Sequence, residues 1–172
     1  MSPIRCDRRH APAILEIFND AILHSTALWE YKPRTPQVMD AWFAAKEAGN
    51  YPVLGLVDEN GALLGFSSYG PFRAFPAYKY SVEHSVYVHR DHRGRGLGER
   101  LLTAVIEEAR AQGYHTLLGG IDSENTASIR LHQRKGFRRC ASIPEAGYKF
   151  GRWLNLEFYQ LLLPTPERPV EG

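Results

Sequence analysis

One segment of the 172-residue sequence is well suited to bind an anion through its backbone. Gly94, Gly96 and Gly98 alternate with other residues, directly after a strand-like segment and directly before a helical one. The free amides and the dipole of a helix N-terminus attract anions, and glycines let phosphate oxygens approach the backbone closely. Arg93 and Arg95 can add charge-assisted contacts. The spacing therefore predicts a phosphate-binding turn, with a flexible basic loop as the alternative.

Two common phosphate-binding motifs do not fit this turn. The dinucleotide fingerprint GxGxxG needs a third glycine at residue 99 or 101, where the sequence has Glu99 and Leu101. The P-loop motif is missing because no glycine of the turn precedes a lysine. The sequence therefore indicates a pyrophosphate turn of another type.

A carboxylate lies on the predicted strand that leads into the turn. Side chains alternate along a strand, so Glu83, Ser85 and Tyr87 share one face, and His84 lies on the other. A carboxylate next to a bound ligand can serve as a general base. The alternative for Glu83 is an ordinary solvent-facing residue at the start of a strand.

Other reactive residues do not form a recognisable site. His89 and His92 lack the helical spacing of a metal site and have no cysteine nearby, so we predict no metal. No GxSxG segment indicates a serine hydrolase. Cys6 and Cys140 are far apart and form no CxxC pair, which excludes a zinc ribbon, whereas a single disulfide remains open.

Composition is that of an ordinary globular protein, with 44% hydrophobic, 23% charged and 12% aromatic residues. The net charge of +2, from 21 basic and 19 acidic residues, argues against a nucleic-acid or anionic-membrane partner. The positive charge is concentrated around the glycine-rich turn. No apolar stretch is long enough to span a membrane and no apolar segment follows the polar N-terminus, so we expect a cytoplasmic protein.

The elements that must position these residues follow from periodicity and turn signals. Helical apolar spacing predicts four helices: one from Ala11 with Pro12 in its first turn, one from Thr35-Pro36 to Gly49-Asn50, one from about Gly98 to Gln112, and one over Asn125–Lys135. Strands are predicted over Ile4–Cys6, Tyr51–Val57, Ala62–Tyr69, Ser81–Val88, Thr116–Ile121, Phe137–Ile143 and Trp153–Leu163. This order predicts an α/β or α+β fold with a mixed sheet and helices on both faces, in one domain over 1–163 with a flexible tail, 164–172.

The turn resembles the Q/R-x-x-G-x-G/A motif of the GNAT acetyltransferase superfamily, which holds the pyrophosphate of acetyl-CoA. Residues 125–137 resemble the family's N-x-x-S/A…G-F segment, and the resemblance extends over Ile4–Leu163. It implies the GNAT acyl-CoA N-acyltransferase fold, with a mostly antiparallel central sheet, and acetyl-CoA as co-substrate. The cofactor-binding residues that it implies are Val86, Tyr87, Val88, Arg93, Gly94, Arg95, Gly96, Leu97, Gly98, Asn125 and Ser128.

Within the superfamily, the sequence is most similar to phosphinothricin and methionine sulfoximine N-acetyltransferases. The similarity is carried by residues 82–88, 131–132 and 146–153. It implies acetylation of the α-amino group of a small amino-acid analogue by a homodimer. It also implies that Glu83 is the general base, directly or through water. His132 then protonates the departing thiolate or only contacts the cofactor, with a plain helix-surface histidine as the alternative.

A free amino acid presents a carboxylate, which arginine binds well. We therefore expect Arg73, on the irregular segment Gly70–Tyr80, to contact the substrate. The further candidates for substrate contacts are Trp29, Tyr31, Phe75, Tyr78, Ser85 and Tyr87. The alternative is that the aromatic residues cover the sheet or form a dimer contact, while Arg73 is solvated.

Two other functions remain open from the sequence. The acceptor could be a polyamine, an aminoglycoside or a protein N-terminus, although a polycation favours an acidic pocket and the candidate loop carries Arg73. The chain could also be an acyl-CoA-binding domain without catalysis, but binding alone needs neither Glu83 nor His132. Because no nucleophilic cysteine is suitably placed, we expect direct attack of the amine on the thioester.

Overall fold

The computed structural model describes residues 2–171, which contain four α-helices and seven strands. The helices are α1 (Ala11–His24), α2 (Pro36–Ala48), α3 (Leu97–Ala111) and α4 (Thr126–Arg134). The strands are β1 (Ile4–Arg5), β2 (Val53–Val57), β3 (Leu63–Pro71), β4 (Ser81–Val88), β5 (Thr116–Asp122), β6 (Arg138–Lys149) and β7 (Arg152–Leu162). They are hydrogen-bonded in the order β1-β2-β3-β4-β5-β7-β6. Strands β4 and β5 are parallel, whereas β1–β2, β2–β3, β5–β7 and β6–β7 are antiparallel, which confirms the predicted mixed sheet.

The chain forms two compact units, and each combines segments that are distant in sequence. Unit 1 contains the described residues up to Tyr69 together with Ser85–Val105. Unit 2 contains Gly70–His84 and the described residues from Ile106 onward. Strand β4 and helix α3 each contribute residues to both units. The extent of the predicted single domain stays a prediction.

The core of unit 1 is built from apolar faces of α1, α2, β2 and β3. Phe18 lies at its centre, with its ring 5.0 Å from Phe66 and 5.5 Å from Trp42 in edge-on contacts. Such aromatic pairs add roughly 0.5–1.5 kcal/mol beyond burial alone. The guanidinium carbon of Arg34 lies 4.1 Å from the centre of the Phe18 ring and closes one side of this cluster.

Unit 2 is organised by antiparallel pairing around β7, which lies between β5 and β6. Leu117 and Leu154 are fully buried, whereas most of β6 is exposed. The turn between β6 and β7 is Phe150-Gly151, and both residues have positive φ. Strand β6 therefore extends to Lys149, well beyond the predicted end at Ile143, because this two-residue turn closes a long hairpin.

The helix boundaries reflect local sequence signals. Helices α1 and α2 each carry proline in their first turn, where its missing amide costs nothing. Helix α3 begins at Leu97, one residue before the predicted start at Gly98. Of the three glycines of the turn, only Gly94 and Gly96 have positive φ, so Gly98 already belongs to the helix.

Both cysteines are free thiols in the structure. Burial, with a smaller effect of the Asp7 charge, raises the pKa of Cys6 to about 12, so this thiol is unreactive. Residues of the predicted tail make hydrogen bonds, since the Val170 amide donates to the Tyr80 hydroxyl at 3.0 Å. The flexibility of the tail stays a prediction. Over residues 2–171 we found no helix with the length and apolar character needed to cross a bilayer.

Candidate active site

The glycine-rich turn, residues 93–98, lies in unit 1 after β4 and includes the first two residues of α3. Gly94 and Gly96 have φ angles of +76° and +75°, which L side chains rarely adopt. Apart from chain neighbours, no atom lies within 4 Å of where a Cβ would stand on either glycine. Backbone conformation, not space, therefore requires glycine here. The turn leads directly into the N-terminus of α3 at Leu97, and the positive end of this helix dipole favours an anion such as a pyrophosphate.

The arginines of this turn have partners within unit 1. Arg93 donates from Nη2 to Asp20 on α1 at 2.9 Å and from Nε to the Val88 carbonyl at 3.3 Å. The Arg95 guanidinium lies 3.0 Å from His92 Nδ1. Arg93 therefore ties the turn to α1, so its predicted contact with the cofactor would need part of this arrangement to change. The backbone of the turn needs no such change.

The second half of β4 has two different faces within unit 1. Val86 and Val88 pack against a cluster of four buried leucines. Tyr87 points the other way, with its ring 5.3 Å from Phe18 and 5.4 Å from Phe66. The side chains of the two valines thus pack in the core. The cofactor contacts predicted for Val86 and Val88 would therefore be made by their backbone atoms.

Glu83 lies in the first half of β4, in unit 2, where it is opposite Leu118 of β5. A Cβ on Gly120 would lie 3.1 Å from Glu83 Oε1, so glycine at this position leaves room for the carboxylate. Burial raises the pKa of Glu83, and the positive charge of Arg73 partly offsets this effect. A half-buried carboxylate with a raised pKa is a better proton acceptor than a solvated one.

Arg73 lies in the irregular segment that precedes β4, in the same unit as Glu83. Its guanidinium carbon is 4.3 Å from the centre of the Phe72 ring, and Nη1 donates to the Phe72 carbonyl at 3.0 Å. Tyr78 packs edge-on against Phe72 at 5.7 Å, and Phe75 is 73% exposed. Unit 2 therefore contains the predicted base, the predicted carboxylate partner and two predicted aromatic residues, and of these Arg73 lies near enough to Glu83 to act on it electrostatically.

His84 and His132 form a buried pair between β4 and α4, within unit 2. Their Nε2 atoms are 2.8 Å apart, and His132 Nδ1 is 2.7 Å from the Ser128 carbonyl oxygen. The Phe137 ring packs against both imidazoles, with centroid distances of 5.3 and 5.0 Å. A Cβ on Gly119 would lie 2.8 Å from His84 Cε1, so the pair needs glycine at this position.

Comparison with known families identifies the protein class. The family model for the acetyltransferase (GNAT) family matches residues 13–137, more than half of the chain. The chain belongs to the GNAT acetyltransferase family. The match includes the glycine-rich turn, Glu83, the histidine pair and the Gly136-Phe137 segment, so the resemblance inferred from two motifs is confirmed.

Individual members of this family are similar over almost their whole length. The L-methionine sulfoximine/L-methionine sulfone acetyltransferase of Salmonella typhimurium is 46% identical over 95% of both chains. The L-amino acid N-acyltransferase MnaT of Escherichia coli is 46% identical over 91% of both chains. A phosphinothricin acetyltransferase from Sinorhizobium meliloti, solved in complex with acetyl-CoA, has a TM-score of 0.94 and 29% identity, covering 99% of this chain and 94% of that one.

The second GNAT motif begins helix α4. The Asn125 side chain accepts a hydrogen bond from the Ser128 amide at 3.1 Å and so caps this helix. The Ser128 hydroxyl lies 3.4 Å from His132 Nδ1. Both residues thus have a structural role in unit 2, and their predicted contacts with the cofactor stay predictions.

Trp29 and Tyr31 belong to unit 1, so they do not share a unit with Arg73. Trp29 Nε1 donates to the Thr26 carbonyl at 2.9 Å, and Tyr31 is 71% exposed. Arg34 follows them and is held by Glu30, so the segment is well anchored to its own unit. Ser85, on β4, is half-buried in unit 1.

Sequence reasoning missed three features of this site. His84 was predicted only to lie on the face of its strand opposite Glu83, because nothing in the sequence indicated its distance to His132. The Gly119-Gly120 pair inside a strand was an available signal, since such glycines often mark a close approach of neighbouring groups. Asp20, the partner of Arg93, gave no signal. Among the described residues, no group of three or more His, Cys, Asp or Glu could hold a metal ion.

Proposed function

We propose that this GNAT enzyme transfers the acetyl group of acetyl-CoA to the α-amino group of a small amino-acid analogue. Methionine sulfone, methionine sulfoximine and phosphinothricin are the preferred candidates. The names of the similar enzymes support this substrate class. The observation that carries the proposal is the half-buried Glu83, whose raised pKa suits a base, in the same unit as Arg73.

In the proposed mechanism, Glu83 takes a proton from the substrate ammonium group, directly or through one water. The neutral amine attacks the thioester carbonyl, forming the carbon–nitrogen bond and a tetrahedral oxyanion. The carbonyl then re-forms as the carbon–sulfur bond breaks with the electron pair leaving on sulfur, and the proton that the attacking nitrogen loses passes through solvent to the thiolate. Arg73 binds the substrate carboxylate through charge-assisted hydrogen bonds. Backbone amides of Val86–Val88 hold the thioester and its developing oxyanion, as the family resemblance implies.

The glycine-rich turn supplies the binding energy for the cofactor in this proposal. Gly94 and Gly96 supply the positive φ angles of the turn, and the N-terminus of α3 offers the positive end of its dipole to the pyrophosphate. Trp29, Tyr31, Phe75, Tyr78 and the β4 residues Ser85 and Tyr87 remain the candidates for the substrate pocket. Acetyl-CoA supplies the activated acetyl group. The protons are transferred to and from Glu83 and solvent.

A thiol-release assay with acetyl-CoA and a panel of amines tests the proposal. We expect the highest kcat/KM with methionine sulfone, methionine sulfoximine or phosphinothricin. The same panel includes spermidine, an aminoglycoside and a peptide with a free N-terminus. A preference for any of these would contradict the proposed substrate class. Binding of acetyl-CoA in calorimetry without thiol release for any amine would indicate an acyl-CoA-binding domain instead.

The proposal includes a homodimer and a cytoplasmic location. Exposed aromatic side chains such as Phe150 and Trp153, each 58% exposed, are consistent with a contact between two copies. Sedimentation equilibrium should give a mass near twice 19.5 kDa at micromolar concentration. A single species at the monomer mass across the accessible concentration range would rule out the dimer. Fractionation of cells that produce the protein tests the location.

A further inference from the structure

The hydrogen bonds of His132 define which of its nitrogens carries the proton. Nδ1 lies 2.7 Å from the Ser128 carbonyl oxygen, which can only accept a hydrogen bond. The proton of His132 is therefore on Nδ1, where it is donated to the Ser128 carbonyl within α4. In the neutral imidazole, Nε2 is then a bare acceptor.

The tautomer of His84 follows from that of His132. The two Nε2 atoms are 2.8 Å apart, and a contact between two bare nitrogens at this distance would be repulsive. Nε2 of His84 therefore carries a proton and donates to His132. The remaining nitrogen, His84 Nδ1, is buried and has no partner within hydrogen-bonding geometry.

Both imidazoles are neutral at neutral pH. Burial, with a further contribution from His132, lowers the pKa of His84 to about 3, against a smaller opposing effect of the Leu118 backbone. Burial also lowers the pKa of His132, and the Ser128 carbonyl only partly offsets this. An imidazolium here would lose its hydration without gaining a carboxylate partner.

The surroundings hold the two rings in one arrangement. The imidazole planes are 30° apart with centroids separated by 5.1 Å, and Phe137 packs on both. Gly119 leaves no space for a larger residue beside them, because a Cβ there would lie within 3.2 Å of both Nε2 atoms. Neither ring can rotate without losing a hydrogen bond in a buried site.

We propose that His84 is a positioning residue for acetyl transfer, holding His132 in one tautomer and one orientation through the Nε2–H to Nε2 hydrogen bond. The inference deepens the proposed function and rests on it. With both ring nitrogens engaged, His132 is held as a fixed neutral ring, and its contact with the cofactor stays the prediction made from the sequence. It is not the acid that protonates the departing thiolate, because its one N–H is bound to Ser128. Removing that proton would leave a buried imidazolate.

Four variants separate this role from general acid catalysis. In His132→Gln, the side-chain oxygen can still accept from His84, so we expect kcat to fall by no more than tenfold. His84→Phe keeps a ring but removes the donor and should lower kcat/KM for acetyl-CoA at least tenfold. His84→Gln restores a donor and should recover most of that loss. His115→Gln, at an exposed histidine of unit 2, is the control for the substitution itself.

A fall in kcat of more than tenfold in His132→Gln would overturn the proposal, since loss of a general acid costs about 10²–10⁴-fold. Wild-type kinetics in His84→Phe, or no recovery in His84→Gln, would also overturn it. Nitrogen-15 NMR of the wild-type imidazoles at pH 7 needs neither a substrate nor a folded variant. It should find the protons on His132 Nδ1 and His84 Nε2. A proton on His132 Nε2 refutes the proposal even if no amine is acetylated.

Discussion

The two regions that carry the proposed chemistry are built on opposite principles. The glycine-rich turn in unit 1 is six consecutive residues, and its function depends on backbone conformation at Gly94 and Gly96. The buried region of unit 2 combines residues of β4, β5 and α4, with Glu83 on one face of β4 and His84 on the other, and its function depends on the side-chain contacts on both faces. We call the second region the carboxylate–histidine site.

The difference shows how each region tolerates change. In the turn, the glycines have open space around them, so a substitution changes only the local backbone energy. In the carboxylate–histidine site, burial alters the pKa of Glu83, His84 and His132 and leaves little free volume. A substitution there changes proton affinity or packing for several groups at once. The predictions below compare the two regions, from the largest expected effect to the smallest.

The largest effect is expected for Glu83→Gln. Removing a general base costs about 10²–10⁴-fold in rate, which corresponds to roughly 3–5 kcal/mol. We expect kcat at pH 7 to fall by at least 100-fold, while the Kd for acetyl-CoA in calorimetry stays within twofold. Glu59→Gln, in the exposed turn between β2 and β3, is the control. Unchanged kcat across the pH range would remove Glu83 from the mechanism.

The two adjacent glycines of β5 allow the same substitution to be made on the two faces of one strand. Gly119→Ala meets the rigid buried rings, so we expect the free energy of unfolding to fall by about 1–3 kcal/mol. Gly120→Ala brings a Cβ to 3.1 Å from Glu83 Oε1 and 3.3 Å from Leu156 Cδ1, both ends of flexible side chains, so it should lower kcat with a smaller loss of stability. Urea denaturation and steady-state kinetics measure both quantities. An equal loss of unfolding free energy in Gly119→Ala and Gly120→Ala would contradict the expected difference between the two faces of β5.

For Arg73→Ala, we expect the KM for the amino-acid substrate to rise about tenfold, equivalent to about 1.4 kcal/mol. The KM for acetyl-CoA should not change. Arg73 also lowers the pKa of Glu83, so its removal should move the acidic limb of kcat/KM to higher pH, because Glu83 must be deprotonated to act. Lys79→Ala, on the same segment, is the control. Equal changes in both KM values, or an acidic limb that moves to lower pH, would contradict the assignment.

The smallest effect is expected in the glycine-rich turn. Gly96→Ala places an L side chain at positive φ, which costs roughly 1–2 kcal/mol of stability, and it should raise the KM for acetyl-CoA several-fold. Gly61→Ala is a matched control in the same unit, with φ of +82° and the same open space. It should lose similar stability without any change in the KM. If both variants bind acetyl-CoA normally, the turn does not hold the cofactor.

The turn, the helices and most of the strands could be predicted from the sequence because each depends on neighbouring residues. Alternating glycines, prolines in first turns and apolar periodicity act over one to four residues, so they are visible in a linear sequence. The errors were small shifts, such as the start of α3 at Leu97 and the longer β6, where turn geometry decided the boundary. Two family motifs in order were enough to identify the GNAT family.

Only the tertiary structure decided what the side chains of the site do. The parallel pairing of β4 with β5 places Glu83 beside Gly120 and His84 beside Gly119, and α4 supplies His132 from 48 residues further along the chain. It also tied Arg93 to Asp20, which no local pattern indicated. Burial and proton position depend on what packs around a group. The sequence therefore determined which residues are available, whereas the fold determined their partners, their pKa and their tautomers.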